Sequence, residues 1–189
     1  MPPKVRITKE EIVKTGIELI RANGAEAVNA RSIASALNCS TQPIFSNFAT
    51  MEELQRAVVA AAYEYYLGFL ENEAKCGSYP RYKAFGMAYI RFAKEEKALF
   101  KLLFMCDRRG GGELIPTLDF EASVDLIMKA NGVAKETATL MHLEMWTCVH
   151  GIAVMLATSF VSLDWTLVSD MLTDVYQGIR ARHVLKGEQ

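Results

Sequence analysis

The sequence contains little that would place it in a specialised protein class. Its 189 residues include only 5 Pro and 12 Gly, which excludes collagenous and low-complexity chains. The 51% hydrophobic fraction excludes intrinsic disorder. Lys and Arg (21) nearly balance Asp and Glu (22), so no overall basic field indicates a nucleic-acid partner. We therefore expect a soluble globular protein in which local motifs carry any binding function.

Cysteine is also scarce, and its spacing contains no C-x-x-C motif. A chain of this length needs no disulfides to stabilise its core, so reduced thiols in a cytosolic protein are expected. The first 11 residues contain five charged side chains and no apolar stretch, so no signal peptide is predicted. The four cysteines are Cys39, Cys76, Cys106 and Cys148.

A segment without Asp, Glu, Lys or Arg lies between Glu144 and Asp164. Its 19 residues approach the roughly 20 that span a bilayer. It also contains polar residues such as Thr147, His150 and Ser159, and its acidic flanks give no positive-inside signal. We interpret it as a helix buried in protein and expect no membrane partner.

Apolar residues recur at helical spacing along most of the chain, and no alternating β-branched run predicts a sheet. The sequence therefore predicts an all-α fold. Thr8-x-x-Glu11 and Thr50-x-x-Glu53 are capping boxes for a first and a fourth helix, and Asn29 is a suitable cap for the second. Further helices are predicted at about 81–94, 97–106, 118–131, 134–162 and 165–186.

Asn and Gly, which tolerate a positive φ, predict where the helices end. The first helix is expected to end at Asn23-Gly24, the second at Asn38, and the fourth, starting at Met51, near Cys76-Gly77; Asn131-Gly132 repeats the signal. A third helix, capped by Ser40, is expected over 41–48. These boundaries predict a small three-helix domain over 1–50 and a larger helical body over 51–189.

Two short helices joined by a three-residue turn precede the fourth helix. This is the arrangement of a helix-turn-helix, whose second helix enters the major groove of DNA, although an ordinary αα corner has the same spacing. The strings that can be compared with known families are Ile12…Leu19-Ile20…Asn23-Gly24, Asn29-Ala30-Arg31-Ser32-Ile33-Ala34, Cys39-Ser40-Thr41-Gln42-Pro43-Ile44-Phe45-Ser46-Asn47-Phe48 and Met51-Glu52-Glu53-Leu54.

With these strings, the segment from Glu10 to Leu54 resembles the DNA-binding domain of the TetR/AcrR family of transcriptional regulators. Trp146-x-x-x-His150-Gly151 resembles the Trp/His-Gly signature of one of its C-terminal subfamilies. The resemblance implies a cytoplasmic, ligand-responsive regulator, typically a repressor, that binds a palindromic double-stranded operator as a homodimer. It also implies a small, largely apolar effector that releases the DNA.

Side-chain chemistry in this segment suits DNA contact. Arg31 has donors for a phosphate or a guanine edge, Gln42 can bond adenine N6 and N7, and the methyl group of Thr41 can touch a thymine methyl. The resemblance implies base contacts around Thr41, Gln42 and Pro43 and phosphate contacts at Phe45 and Asn47; a solvated surface is the alternative. Ile44 and Phe48 are expected to face the core. The candidate DNA-binding residues are Arg31, Ser40, Thr41, Gln42, Pro43, Phe45, Ser46 and Asn47.

The segment has few phosphate anchors. Phe45 stands where the family usually has Tyr, and Ala49 and Met51 replace common basic residues. Dimerisation is therefore expected to supply much of the DNA affinity. Lys4 and Arg6 can add backbone or minor-groove contacts, or else belong to an unstructured terminus. A helical ligand- or protein-binding module without DNA recognition is the alternative function.

The helices from about 81 to 162 are rich in aromatic and Met side chains, which are mostly core residues but can line a cavity. His150 is expected to bond either a polar ligand group or a core backbone carbonyl. The candidate effector-pocket residues are Phe85, Tyr89, Phe92, Phe104, Trp146 and His150.

The last two predicted helices resemble the family's dimer-forming pair, although an intramolecular hairpin is the alternative. Small residues that would allow close approach are Gly151, Ala153, Ala157, Ser159 and Gly178.

No catalytic motif is present, so an enzyme, a cofactor and a metal site are not expected. The two histidines His142 and His150 are too far apart along a helix for a metal pair. Arg108, Arg109 and Gly110-Gly111-Gly112 can hold an anion or form a flexible loop. Cys39 is expected to be a small buried residue in the turn rather than a redox switch.

Overall fold

The computed structural model describes residues 7–105 and 119–185. Within these residues the chain forms nine α-helices and no strand, which confirms the predicted all-α class. Short 3-10 and π-helical turns follow the first and last helices at Ala25–Ala27 and Ala181–Leu185. The helices are α1 (Lys9–Asn23), α2 (Ala30–Ala36), α3 (Gln42–Asn47), α4 (Met51–Lys75), α5 (Arg81–Glu95), α6 (Lys97–Phe104), α7 (Asp119–Asn131), α8 (Lys135–Ala157) and α9 (Trp165–Arg180).

The predicted capping box begins α1, and a related pair of hydrogen bonds begins α4. Thr8 Oγ1 accepts the Glu11 N–H at 3.2 Å, and Glu11 Oε2 accepts the Thr8 N–H at 2.8 Å. At α4 the Thr50 hydroxyl accepts the Glu53 N–H at 3.1 Å, but the Glu53 carboxylate reaches back to the Ala49 N–H at 2.7 Å. Both pairs of bonds satisfy N–H groups that have no partner within the helix.

The predicted stop signals are confirmed at four helix ends. A positive φ occurs at Gly24 (85°), Asn38 (50°), Gly77 (67°) and Gly132 (66°), immediately or shortly after α1, α2, α4 and α7. Glycine and asparagine occupy these positions because larger side chains rarely adopt this backbone conformation.

Several predicted helix ends differ from the observed ones, among them the start of the third helix and the end of α8. The third helix starts at Gln42, not at residue 41, and Thr41 rather than Ser40 occupies its cap position, without a side-chain cap bond. α8 ends five residues before residue 162, because Ser159 adopts a φ of 58° and the Phe160 N–H turns back to the Met155 carbonyl at 2.9 Å. Serine gives no sequence signal for such a stop, whereas Asn or Gly would.

One compact unit contains residues 7–68 and 96–105, and therefore α1 to α3, most of α4, and α6. α1 and α4 approach closely at Gly16, where an added Cβ would lie 2.8 Å from Val58 Cγ2. A larger residue at position 16 would therefore force Val58 or one of the two helices to shift. The buried apolar side chains of this unit are Ile12, Ile20, Val28, Ala30, Ile33, Ala34, Ile44, Phe48, Leu54, Val58, Ala62, Tyr66, Leu99, Phe100 and Leu103.

The second compact unit contains residues 69–95 and 119–185, with α5, α7, α8 and α9. The Lys83 ammonium on α5 donates to the hydroxyls of Ser169 and Thr173 on α9, each at 2.7 Å. An apolar cluster joins α7 and α8. Its buried members are Val124, Ile127, Ala138 and Met141.

Among the described residues, α8 is the one helix long and apolar enough to cross a membrane by length and composition. The prediction that this segment is a helix buried in protein holds for one face only. Within the segment Met145, Val149 and Ile152 are buried, whereas Trp146 is 39% exposed. Leu140 and Leu143, just before the segment on the same helix, are 46% and 44% exposed.

Candidate nucleic-acid interface

α2 begins at the predicted cap Asn29. Its Oδ1 accepts the N–H groups of Arg31 and Ser32 at 3.1 and 3.0 Å, and Ser32 Oγ accepts the Asn29 N–H at 3.1 Å. Reciprocal bonds of this kind fix the first turn of a helix. They leave Arg31 exposed at the start of α2, as the sequence analysis expects.

The turn from α2 to α3 is held by the backbone. Asn38 adopts its positive φ, and the Cys39 N–H donates to the Ala34 carbonyl at 2.9 Å. α3 is then anchored by Ile44 and by Phe48 directly after it, which are 0% and 3% exposed. The prediction that these two side chains face the core is confirmed.

The remaining surface of α3 is open to solvent. Gln42 and Ser46 are exposed and share one helix face, with Ser46 Oγ donating to the Gln42 carbonyl at 2.9 Å. Phe45 is 50% exposed, which is high for an aromatic side chain. Ser40, before the helix, is exposed, whereas Thr41 and Pro43 are half-buried.

Asn47 has a different environment from the one expected of a phosphate contact. Its Nδ2 donates to the Pro43 carbonyl at 2.8 Å and to the Ile7 carbonyl at 3.2 Å, and the residue is half-buried. Both amide hydrogens are therefore used within the protein. No sequence pattern predicts the bond to Ile7, because 40 residues separate the two.

The cysteine predictions need one correction. Cys39 is half-buried, not buried, because the turn that contains it lies at the surface between two short helices. Cys39, Cys76 and Cys148 are free thiols, and Cys106 lies outside the described residues.

The six candidate effector-pocket residues do not all belong to one compact unit. Phe104 lies in the first unit, with ring centroids 5.0 Å from Tyr66 and 5.2 Å from Phe100. The other five lie in the second unit. They are Phe85, Tyr89, Phe92, Trp146 and His150.

His150 is hydrogen-bonded to a tyrosine hydroxyl. The sequence analysis expected either a polar group of a ligand or a backbone carbonyl as its partner. Its Nδ1 lies 2.9 Å from Tyr89 Oη, and Trp146 stacks on its ring at 5.0 Å between centroids. A second pair, Tyr82 Oη and His142 Nδ1, has the same separation of 2.9 Å. Burial lowers the pKa of both histidines and is the first cause of a raised pKa at Tyr82.

These pairs carry a weak signal that sequence analysis missed. The tyrosines Tyr82 and Tyr89 are seven residues apart on α5, and the histidines are eight apart on α8. Both spacings are two helical turns, so two parallel helices would bring both pairs into register.

The small residues of α8 and α9 do not form one exposed stripe. Ala153 and Ala157 are 0% and 1% exposed, because they face the interior of the second unit. Gly151, Ser159 and Gly178 are exposed. The expectation that all five allow close approach of a second chain is therefore wrong for the two alanines.

In the described part of the chain, no group of three His, Cys, Asp or Glu side chains is arranged to hold a metal. The candidate anion loop of Arg108, Arg109 and Gly110-Gly111-Gly112 lies outside residues 7–105 and 119–185, as do Lys4 and Arg6.

A comparison of the chain with protein-family models gives no match. A comparison with curated proteins gives no match either. The resemblance to the TetR/AcrR family therefore remains a hypothesis that rests on the residues of this sequence.

Proposed function

We propose that the chain is a DNA-binding transcriptional regulator that reads its operator with α3. The observation that supports this most strongly is the division of α3 into a buried and an exposed face. Ile44 is fully buried, whereas Gln42 and Ser46 are exposed on the same short helix. A helix anchored in this way presents polar side chains on a rigid support, which base recognition requires.

The exposed side chains are chemically suited to a major groove. Gln42 can donate to and accept from one adenine, which is specific for that base. The half-exposed ring of Phe45 can cover a thymine methyl or a sugar, and so lose its contact with water on binding. Arg31, on the neighbouring helix, supplies a charged fork for a phosphate or a guanine.

We propose that the regulator is a homodimer that uses the exposed face of α8. Leu140, Leu143 and Trp146 are 46%, 44% and 39% exposed, and their spacing of three residues places them side by side on α8. They form an apolar strip of the kind that a second chain covers. Two-fold symmetry would then present two copies of α3 to a roughly palindromic operator.

We further propose that a small, largely apolar effector binds the second unit and releases the operator, which makes the chain a repressor. The buried Tyr89, the half-buried His150 and the exposed Trp146 combine aromatic surface with hydrogen-bonding groups, which suits a ligand with one polar end. A tenfold loss of DNA affinity requires about 1.4 kcal/mol of effector preference for the DNA-free form. By linkage, operator DNA must weaken effector binding by the same factor.

Selection from random-sequence duplexes tests the proposal. The full chain is incubated with the pool at low and at moderate salt, and bound duplexes are sequenced. We expect enrichment of a roughly palindromic site with half-sites about 34–36 Å apart or somewhat more. Binding without enrichment, or no binding at low salt, would favour a ligand- or protein-binding helical module.

A further inference from the structure

Phe45 is an aromatic side chain that the fold leaves largely in water. It is 50% exposed, whereas Phe48, three residues later, is 3% exposed and has the Lys9 ammonium 4.9 Å from its ring centre. Among the side chains that the structure describes, no second ring and no cation lies against the ring of Phe45. About half of this residue is therefore available for contact with a binding partner.

The ring lies beside the side chain that we propose reads a base. Phe45 follows Gln42 by three residues on α3, and residues at this spacing are neighbours on a helix surface. Ile44 is fully buried and fixes which face of α3 is turned outward. A duplex in which Gln42 bonds a base would therefore also meet the ring of Phe45.

A phenyl ring can recognise only apolar groups of the DNA. It has no donor for a phosphate, and neither a donor nor an acceptor for the polar atoms of a base edge. On the major-groove edges of the base pairs, the apolar group is the C5 methyl of thymine. Gln42 is suited to adenine, and adenine pairs with thymine in a duplex, so the base pair that Gln42 reads contains such a methyl group.

We propose that Phe45 is a specificity-determining residue that reads the C5 methyl group of a thymine in or next to the base pair bonded by Gln42. The inference rests on the proposed function and extends it. It replaces the phosphate contact expected at Phe45 by a base contact, and it assigns the thymine methyl to Phe45 rather than to Thr41. Thr41 is half-buried at the cap position of α3, with a smaller exposed fraction than Phe45.

Uracil is the probe for this contact, because it lacks the C5 methyl group of thymine and keeps the O4 acceptor. Each thymine of the selected operator is replaced in turn by deoxyuridine, and the affinity of the full chain is measured by fluorescence anisotropy at one salt concentration. Burial of one methyl group contributes about 0.8 kcal/mol, which corresponds to about a fourfold change in affinity. We expect one thymine in each half-site to show this fourfold loss with the wild-type chain.

Two variants assign the methyl contact to a side chain. Phe45→Ala should bind the thymine and the uracil duplexes equally, because the ring that distinguishes them is gone. Thr41→Ser is the matched control: it removes the other methyl group that could contact thymine, and it should keep the fourfold difference. Phe45→Gln, which lacks the ring and keeps part of the packing with its methylene groups, replaces Phe45→Ala if thermal melting shows that the latter is unfolded.

Three results would overturn the inference and leave the proposed function intact. In the first, no uracil replacement lowers the affinity of the wild-type chain. In the second, the difference persists in the folded Phe45 variant, which would attribute it to the shape of the DNA or to another side chain. In the third, Thr41→Ser removes the difference. A wild-type chain that binds no duplex would instead overturn the proposed function, and this inference with it.

Discussion

Arg21 and Glu96 form a two-bond ion pair although 75 residues separate them. Arg21 Nε lies 2.9 Å from Glu96 Oε2, and Nη2 lies 2.8 Å from Oε1. The Tyr65 hydroxyl donates to the same carboxylate at 2.9 Å, and the Arg21 guanidinium lies 4.7 Å from the Tyr65 ring centre. The hydrogen bond to Glu96 is the first cause of a raised Arg21 pKa. These three side chains join α1, α4 and the start of α6.

We expect a double-mutant cycle of Arg21→Ala and Glu96→Ala to give a coupling of about 1 kcal/mol, near the upper end for pairs that water reaches. The two-bond geometry raises the coupling free energy, and the partial exposure of Arg21 to water limits it. Urea unfolding of the four chains measures it. Lys135 and Glu121 are the control, because their atoms are also 2.8 Å apart but both side chains are exposed. Equal coupling in both pairs would contradict the account.

Gly16 should not tolerate a side chain. A Cβ there would meet Val58 Cγ2 at 2.8 Å, and Val58 is buried and β-branched, so it cannot easily rotate away. We expect Gly16→Ala to lower the free energy of unfolding by about 1–3 kcal/mol, and Val58→Ala to suppress part of that loss. Gly68→Ala in α4 is the control. A Cβ added at Gly68 would meet no other atom, so this substitution should leave the free energy of unfolding unchanged or raise it. Similar losses at both glycines would refute the close crossing.

The second unit should lose stability in acid through its buried histidines. Burial lowers the pKa of His142 and His150, so both bind protons more readily in the unfolded chain, where the pKa is about 6.5. Their contribution to the free energy of unfolding is complete at pH values above this unfolded-state pKa. It is lost as the pH falls through the lower pKa of the folded state. We expect the free energy of unfolding to fall between pH 7.5 and 5. The fall should be smaller in His142→Gln/His150→Gln, and an identical fall would contradict this explanation.

A charge on the exposed face of α8 should dissociate the proposed dimer. Leu143→Asp places a carboxylate in a surface that we expect a second chain to bury, where it would lack a partner. Sedimentation equilibrium at micromolar concentration should show a wild-type dimer and a monomeric variant. Lys129→Asp, on the exposed surface of α7, should remain dimeric. A monomeric wild-type chain would remove the basis of a two-fold operator.

Local features of the fold were predictable because their physical cause lies within a few residues. Thr8 and Asn29 cap the helices that follow them, and Gly24 and Gly132 end α1 and α7, because capping and positive φ depend on the residue itself. The end of α8 was not predictable, because Ser159 adopts a conformation for which serine has no preference.

The site was predictable only as far as one helix face determines it. Ile44 and Phe48 lie in the core as their spacing indicates, and the exposed surface of α3 follows from that. The bond from Asn47 to Ile7 and the pair of Tyr89 with His150 required tertiary contacts between residues 40 and 61 positions apart. No sequence periodicity reports the partner of a single side chain at that range.

The central claim, that α3 reads bases, is tested most directly by operator variants. Affinities of wild type, Gln42→Ala and Arg31→Ala are measured for the selected operator and for each single base-pair change. We expect Gln42→Ala to lose discrimination at one base pair of each half-site, a loss of about 1–3 kcal/mol, while Arg31→Ala weakens all sequences more evenly. Uniform weakening of all operators by Gln42→Ala would contradict base reading by α3.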